Sequence, residues 1–400
     1  MSRNSQFPIR RRFIAGLGLV THLAVAAAIT PLAAPSQVEA DDVTSEQALL
    51  GVPRPTSAHI SSLERSTIMA TTMAPPASRS PNAATDPRID PRVRAFLAEI
   101  NKDTSPGWLL PGPQVRAGLT GLQAKTPVDM SGVSIAEKTI EQDGRSVKLY
   151  IVKPDKAQGP PPVILFIHGG VWISGNFENH KRLVRDLVVG SCAAAVFVEY
   201  TPIPDAVYPT QIEESYAAAK WVAAHGAEIG VDGTRMAVAG NSVGGNMATV
   251  VALMAKDRGG PAIRFQLLLY PATDASVGTA SYSDFESGRF LPRAFMQFGW
   301  DIYAPDEKMR ADRYASPLRA TLDQLRGLPP ALIQTAENDP LRDEGEAYGH
   351  KLREAGVEVS ATRYIGQIHD FGLLNALHDV PSTQVALRQA SEELTRYLSP

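Results

Sequence analysis

Short apolar segments alternate with amphipathic helical segments from about residue 133 onward. The apolar or β-branched segments predict eight strands: VSIAEKTI, SVKLYIVK, PVILFIH, AAAVFVEY, RMAVAG, RFQLLLYP, ALIQTAE and VEVSATRYI. Helices are predicted between or after them at 178–190, 208–225, 242–257, 341–355 and 381–398. Strands that alternate with helices predict a mostly parallel sheet with helices on both faces.

The same pattern indicates where several strands lie within the sheet. The segments PVILFI, AAAVFV and FQLLLY are continuously apolar, as expected of central strands that are buried on both faces. The first two strands are joined by EQDGR, whose Asp143-Gly144 pair favours an antiparallel hairpin at the sheet edge. Ligands of such sheets bind beyond the carboxyl ends of the strands, so we expect the functional residues there.

The region before the sheet has a different composition. Residues 41–89 are rich in Ala, Thr, Ser and Pro without a sustained period, which predicts a mostly flexible lead-in. From residue 90, PRVRAFLAEINK has helical spacing, and a weaker helix is predicted near 114–124. We expect residues 90–130 to form a separate helical segment ahead of the main domain at 131–400.

Residues 1–40 have the layout of an export signal. Three arginines at 10–12 precede an apolar stretch rich in Ala and Gly, and Val38-Glu39-Ala40 offers a small–x–small cleavage site. The run Arg-Arg-x-Phe-Ile is similar to twin-arginine signals, which predicts an exported protein, periplasmic or secreted. The alternative is a retained membrane anchor, since the stretch could span a bilayer. Cleavage would leave a mature form without a stable membrane span.

Charge and cysteine content exclude some classes of protein. The formal net charge is −3 and the body of the chain has no Lys/Arg-rich stripe, so nucleic-acid binding is not expected. The single cysteine, Cys192, cannot form an internal disulfide, and we expect it to pack as a small apolar residue at the entrance of a strand.

A candidate nucleophile lies where the fifth predicted strand meets a helix. Here the sequence reads Gly240-Asn241-Ser242-Val243-Gly244. A G-x-S-x-G motif in this setting predicts a sharp turn that holds the Ser242 hydroxyl at a helix N-terminus, with small residues on either side. The alternative is a Gly-rich helix start with Ser as its N-cap.

A serine nucleophile needs a base, and the base needs an orienting acid. His369 follows the last predicted strand in a Gly-flanked loop, whereas His350 and His378 lie in helical segments. Asp339 follows the preceding strand and is the candidate acid. Two competitors remain beside it, Glu337 and Asp343, the latter of which reads more simply as a carboxylate in the first turn of a helix.

Acyl transfer also needs donors for the oxyanion that forms in its tetrahedral intermediate. The N–H of Val243, directly after the nucleophile, is one candidate, and the loop FIHGGVW after the third strand is the other source. Glycines there let the backbone turn its amides toward the site. Alternatively, these glycines serve only the shape of a turn.

Together these motifs resemble the bacterial hormone-sensitive-lipase branch of the α/β-hydrolases, a branch of carboxylesterases. The matching pieces are His168-Gly169-Gly170-Val171-Trp172, GNSVGGN, DPLRDEG and GQIHDF, and the likeness spans about 130–400. The resemblance implies the α/β-hydrolase fold, a helical cap formed by residues 90–130 and about 272–318, an ester substrate, and no cofactor or metal ion. It also implies that Gly170 and Val171 donate to the oxyanion.

Two residues depart from the usual pattern of this family at the site. Val171 stands where a third glycine is usual, and Asn241 stands where Asp is usual. We expect Val171 to restrict its backbone to negative φ and to narrow the acyl pocket. Trp172 and Phe371 are further candidates for the substrate pocket.

The sequence therefore predicts a serine carboxylesterase for short- to medium-chain esters. Two alternatives stay open: an amidase or peptidase on the same fold, and a non-catalytic binder of small molecules. Activity is expected to rise with pH near 6–7.5 if the pKa of His369 is close to its usual value. The oligomeric state is left open, with a homodimer as one option.

Overall fold

The computed structural model describes residues 81–157 and 159–400. The predicted export signal and most of the predicted lead-in lie outside these residues. Within the described part of the chain, no helix has the length and apolar character needed to cross a membrane.

The sheet has the eight strands that the apolar segments predict. They are β1 Val133–Gln142, β2 Arg145–Pro154, β3 Pro162–Ile167, β4 Ala194–Glu199, β5 Asp232–Asn241, β6 Phe265–Leu269, β7 Ala331–Asn338 and β8 Val359–Ile368. Their spatial order is β1-β2-β4-β3-β5-β6-β7-β8. Strand β2 is antiparallel to both β1 and β4, and all other neighbours are parallel. The prediction of an eight-stranded, mostly parallel sheet is confirmed.

The edge hairpin forms at the predicted turn. Gln142 pairs with Arg145, and the two residues between them, Asp143 and Gly144, both have positive φ, at 53° and 70°. Positive φ at both central positions is what a tight two-residue hairpin requires, and Asp-Gly adopts it at little cost.

The described helices of five or more residues include those that the sequence pattern predicts. They are α1 Pro91–Ile100, α2 Gly112–Ala124, α3 Phe177–Ser191, α4 Thr210–His225, α5 Val243–Arg258, α6 Ala280–Asp284, α7 Arg293–Tyr303, α8 Glu307–Ala311, α9 Arg342–Glu354 and α10 Pro381–Leu398. Helix α1 begins where local chemistry favours it, because Pro91 is its first residue and the Asp90 carboxylate accepts a hydrogen bond from the Arg92 amide.

Both faces of the sheet are buried. Along β3, Val163, Leu165 and Ile167 pack into one core cluster, whereas Ile164 and Phe166 pack into the other. Helices α4, α5 and α9 cover the first face, and α1, α3 and α10 cover the second. Because side chains alternate along a strand, a continuously apolar strand fits between two helical layers.

The end of the predicted lead-in is packed, and the boundary at residue 89 is wrong. Ala83 and Ile89 are buried, and Asp86 is buried in a 2.8 Å ion pair with the equally buried Arg289. Hydrogen bonds from Arg88 lower the pKa of the Asp86 carboxyl well below its usual value despite burial. Two isolated apolar residues and one distant ion pair leave no periodic signal in the sequence, so pattern alone could not find this packing.

The expectation for Cys192 was also wrong. Its side chain is exposed, because the residue ends helix α3 with a left-handed backbone, φ 58°. The apolar packing that we expected of it begins at Ala193, which is buried.

Candidate active site

The turn between β5 and α5 presents Ser242 with a strained backbone. Its φ of 57° and ψ of −127° are unusual for a residue with a side chain, and such a conformation costs on the order of 1–3 kcal/mol. The flanking glycines permit the turn, since a Cβ on Gly240 would lie 2.2 Å from the Gly244 carbonyl oxygen. A Cβ on Gly244 would lie 2.1 Å from the Ile167 carbonyl oxygen. Close packing around the turn therefore requires the two glycines that the sequence motif contains.

Three side chains from separate loops meet at this turn. His369, directly after β8, places its Nε2 3.0 Å from Ser242 Oγ and its Nδ1 2.8 Å from Asp339 Oδ2. The other oxygen of Asp339 accepts a hydrogen bond from the Leu341 amide at 2.9 Å. All three side chains are buried. Because a carboxylate accepts from Nδ1–H, Nε2 is left as the acceptor for the serine hydroxyl.

The competing acids and histidines lie elsewhere. Glu337 accepts a hydrogen bond from the Gly366 amide, and Asp343 accepts one from the Ser281 amide while pairing with Arg342. His350 and His378 are exposed. The structure thus brings together the three residues that the order Ser–Asp–His selects.

A second carboxylate, Asp370, lies beside the histidine and was missed in the sequence. One of its oxygens is 3.9 Å from His369 Nε2, and the other accepts a hydrogen bond from the Asn241 side-chain amide at 2.9 Å. The side-chain oxygen of Asn241, Oδ1, accepts in turn from the Gly169 backbone amide at 3.0 Å. The amide of Asn241 can donate and accept at once, which an ionised Asp cannot do. Asn at position 241, where Asp is usual, can therefore bond to both Asp370 and the Gly169 amide.

The two carboxylates set the protonation of the histidine. Burial lowers the pKa of His369, but the negative charges of Asp339 and Asp370 outweigh burial and raise the pKa above its usual value. Burial also raises the pKa of Asp370, while His369 and the hydrogen bond from Asn241 oppose the rise.

The loop after β3, residues 168–172, is called the oxyanion loop below. Gly170 has φ 100°, and a Cβ on it would lie 2.4 Å from the Gly175 nitrogen. The N–H groups of Gly170 and Val171 donate to no acceptor within the described residues. The N–H of Val243 lies in the first turn of α5, where a helix has no internal acceptor. These three amides are thus available to a ligand oxygen.

Val171 contradicts the expectation of a negative φ. Val171 and Trp172 have φ values of 53° and 57°, so two successive residues with bulky side chains are left-handed. This conformation is an outlier for a β-branched residue and persists only where surrounding packing enforces it. The intrinsic preference of valine predicts a negative φ, and tertiary contacts override it here.

His168 packs in the core at the start of the oxyanion loop and does not line the cavity. Its ring stacks on Tyr200 with centroids 4.0 Å apart, and the Tyr200 hydroxyl donates to the His168 carbonyl oxygen at 3.0 Å. Burial lowers the pKa of His168 well below its usual value, so the ring is neutral. These contacts are compatible with the predicted role of His168 in shaping the motif.

A cavity of about 670 Å³ opens onto Ser242, His369 and Asp370. Its roof comes from residues 81–122 and 287–295. These ranges overlap the cap predicted at 90–130 and about 272–318, but residues 81–83 of the roof fall in the predicted lead-in. Apolar side chains dominate this roof, and Trp108 stacks on Phe295 with ring centroids 5.6 Å apart. A covered apolar cavity with a few polar groups at its base is typical of a site for a small organic molecule.

Two predicted pocket residues lie in the core instead. Trp172 stacks on Tyr303 with ring centroids 3.9 Å apart, and Phe371 packs against Tyr270; neither lines the cavity. The Trp172 ring packs against Trp300 and Tyr303 of helix α7, which its position in the motif could not reveal. No group of side chains suited to hold a metal ion occurs among the described residues.

Comparison with known proteins agrees with this fold and site geometry. A sequence profile for the alpha/beta hydrolase fold matches residues 164–373. The thermostable esterase of Pseudomonas putida ECU1011 has 55% identity and a TM-score of 0.77, over 78% of this chain and 99% of that one. Carboxylesterase NlhH of Mycobacterium tuberculosis is 35% identical over 78% of this chain and 97% of its own length. Ethyl acetate hydrolase of Pseudomonas putida is 31% identical over 71% of this chain and 92% of its own length.

The fold and the Ser–His–Asp geometry are those of an α/β-hydrolase. The chain belongs to the α/β-hydrolase family, in its hormone-sensitive-lipase-like branch.

Proposed function

We propose that this chain is a serine carboxylesterase that hydrolyses short- to medium-chain carboxylic esters through an acyl-enzyme. The pair of contacts from His369 to Ser242 and Asp339, at 3.0 and 2.8 Å, carries the proposal. The three free amides beside the nucleophile and the apolar cavity above it support the proposal further.

The reaction follows from the geometry. Ser242 Oγ attacks the ester carbonyl carbon as its proton passes to His369 Nε2, and the new oxyanion accepts hydrogen bonds from Gly170, Val171 and Val243. The C–O bond to the alcohol then breaks, and the leaving oxygen takes the proton from His369. A water molecule then loses a proton to His369 and attacks the acyl carbon. The bond from that carbon to Ser242 Oγ breaks, the carboxylic acid leaves, and Ser242 Oγ takes the proton back from His369. Asp339 keeps the proton of the neutral imidazole on Nδ1 throughout.

The experiment that tests this function compares an ester and an amide of the same acyl group. We expect hydrolysis of p-nitrophenyl acetate and butyrate, with the matching p-nitroanilides hydrolysed far more slowly. Comparable rates on both would instead identify an amidase. Binding of the ester without turnover, together with no labelling by an organophosphate, would identify a non-catalytic binder.

Substrate size should depend on Val171, which lines the cavity beside Ser242. We expect Val171→Gly to improve kcat/KM for bulky acyl groups relative to acetate, because the substitution removes three carbon atoms at the cavity wall. The measurement is kcat/KM over p-nitrophenyl esters of increasing chain length and branching, in wild type and variant. An unchanged size profile would contradict a role for Val171 in acyl selection.

The pH dependence should follow the protonation of His369, which must be neutral to accept the serine proton. The pKa of His369 is raised above 6.5, the usual pKa of a histidine side chain. We therefore expect kcat/KM to be low while His369 is protonated and to rise, along the acid limb of the profile, as the pH passes through this raised pKa. Asp370→Asn should move the limb to lower pH, because one of the two charges that raise this pKa is lost.

Asp103→Asn is the matched control for Asp370→Asn. Asp103 also lines the cavity but is exposed, so its charge is screened by solvent and the limb should not move. If both variants shifted the acid limb equally, the pKa of His369 would depend on the total charge around the cavity. The specific contact of 3.9 Å between Asp370 and His369 Nε2 would then not explain the shift.

Export is the second part of the proposal, and it rests on the sequence of residues 1–40. We expect the full chain to accumulate in the periplasm or medium, cleaved after Ala40, and Arg10→Lys/Arg11→Lys to leave it uncleaved in the cytoplasm. Fractionation with N-terminal sequencing measures both. Unimpaired export of the double variant would argue against the twin-arginine route, and an uncleaved membrane-bound chain would indicate an anchor.

A further inference from the structure

Helix α7 of the cap packs directly against the oxyanion loop. Gly299, in the middle of this helix, faces Val171 so closely that a Cβ on Gly299 would lie 2.1 Å from Val171 Cγ1. The valine side chain therefore occupies the space that a side chain at position 299 would fill. Glycine inside a helix is unfavourable by itself, so its presence here is matched to the bulky residue opposite.

The next residue of the loop makes a second contact with the same helix. Trp172 stacks on Tyr303 and meets Trp300 edge-on, with ring centroids 3.9 and 4.7 Å away. All three rings are fully buried. The Trp172 carbonyl oxygen also accepts a hydrogen bond from the Ile203 amide at 3.0 Å, which fixes the far end of the loop.

These contacts involve the two non-glycine residues of the loop that have positive φ, Val171 and Trp172. A left-handed valine followed by a left-handed tryptophan is not a conformation that the isolated segment would keep. The side chains of both residues are held by α7, and a change in either side chain's position would rotate the backbone amide of Val171.

We propose that helix α7 holds the oxyanion loop in its left-handed conformation, and that Gly299 is a positioning residue for the reaction. Gly299 touches no reacting atom; it acts through Val171, whose amide is one of the proposed oxyanion donors. This inference rests on the proposed function, since an oxyanion forms only in acyl transfer.

The arrangement links the substrate cavity to the oxyanion donors. Phe295 lines the cavity one helical turn before Gly299, so the two residues lie on the same side of α7. One rigid helix thus provides part of the substrate wall and the surface against which the donor loop rests. A substrate that packs against Phe295 contacts the element that aims the Val171 amide.

Gly299→Ala tests the proposal, because the added methyl group must displace Val171. We expect kcat for p-nitrophenyl acetate to fall about 10- to 100-fold, with KM nearly unchanged. This decrease is smaller than the one caused by removing an oxyanion donor completely. Affinity for a boronic acid that forms a tetrahedral adduct with Ser242 should fall by the same factor. The control Gly121→Ala places a methyl group on an exposed face of α2 with open space around it, and kcat should not change.

The decisive variant is the exchange Val171→Gly/Gly299→Ala, in which the methyl group gains the space that Val171 vacates. Glycine at position 171 also tolerates a positive φ. The double variant should therefore recover from the loss seen in Gly299→Ala. Its kcat should lie within about 3-fold of that of Val171→Gly, and its melting temperature within a few degrees. If Gly299→Ala does not fold, Tyr303→Leu provides an independent test, since loss of the Trp172 stack should lower kcat more than it raises KM.

The outcomes separate the inference from the function. Wild-type hydrolysis with an unchanged kcat in Gly299→Ala, or no recovery in the exchange variant, would overturn the positioning role and leave the esterase proposal intact. Absence of ester hydrolysis in the wild type would overturn both.

Discussion

Replacing Ser242 by Ala should lower kcat for p-nitrophenyl esters by about 10⁴- to 10⁶-fold, because no other described hydroxyl lies within hydrogen-bond distance of His369 Nε2. Residual activity over water would come from the free amides and from substrate binding alone. KM should change little, since the hydroxyl is small and the cavity wall is otherwise intact. Steady-state kinetics and labelling by an organophosphate measure the two effects, and labelling should disappear.

Ser287→Ala is the matched control for this substitution. Ser287 also lines the cavity, but it comes from the roof and makes no contact with His369. We expect kcat to stay within about 3-fold of wild type, as for most exposed substitutions. A Ser242→Ala variant as active as Ser287→Ala would mean that another group is the nucleophile.

The second large effect is expected at Asp339. Asp339→Asn preserves size but replaces the acceptor at 2.8 Å with a group that can donate to His369 Nδ1. The imidazole then carries its proton on Nε2, where it cannot accept the serine proton, and kcat should fall by about 10⁴-fold. The pH–rate profile of the remaining activity should also change, since one of the charges that raise the pKa of His369 is lost.

Asp343→Asn and Glu337→Gln are the controls, because they are the two acids that sequence position could not fully exclude. Both are engaged with other groups, Asp343 with Ser281 and Arg342, and Glu337 with Gly366. Each variant should keep kcat within about an order of magnitude of wild type. A greater loss in either than in Asp339→Asn would reassign the orienting acid.

Asp370 cannot take over from Asp339. Its nearer oxygen is 3.9 Å from Nε2, the nitrogen that faces Ser242, and not from Nδ1. It therefore raises the pKa of the imidazole without fixing the tautomer that the reaction needs. The two acids beside one histidine thus have different roles that follow from the nitrogen each one faces.

The sheet and the residues at the strand ends could be predicted from sequence because their signals are local. A continuously apolar segment such as PVILFI encodes burial on both faces, and Ser242 lies at a strand–helix junction whose glycines reveal how tight the turn is. Asp339 and His369 each follow directly after a strand. Parallel strands bring such positions to one edge of the sheet, so their proximity follows from the topology.

The remaining features depend on contacts between distant segments. The left-handed backbone of Val171 opposes the intrinsic preference of valine, and the valine side chain packs against Gly299, 128 residues further on. Asp370 accepts a hydrogen bond from the side-chain amide of Asn241, 129 residues earlier in the chain. The packing of residues 81–89 combines the burial of Ala83 and Ile89 with an ion pair between Asp86 and Arg289. None of these pairings leaves a periodic or local trace in the sequence.

Ser242, activated by His369 and Asp339, should form an acyl-enzyme with an ester. Rapid quenching during turnover of p-nitrophenyl acetate, followed by mass spectrometry of the digested protein, detects this intermediate. We expect one acetyl group per chain, on the peptide that contains Ser242, and none in Ser242→Ala. Acetyl transfer to a different residue that is equally abundant in Ser242→Ala, or ester hydrolysis that proceeds in that variant at the wild-type rate, would contradict this expectation.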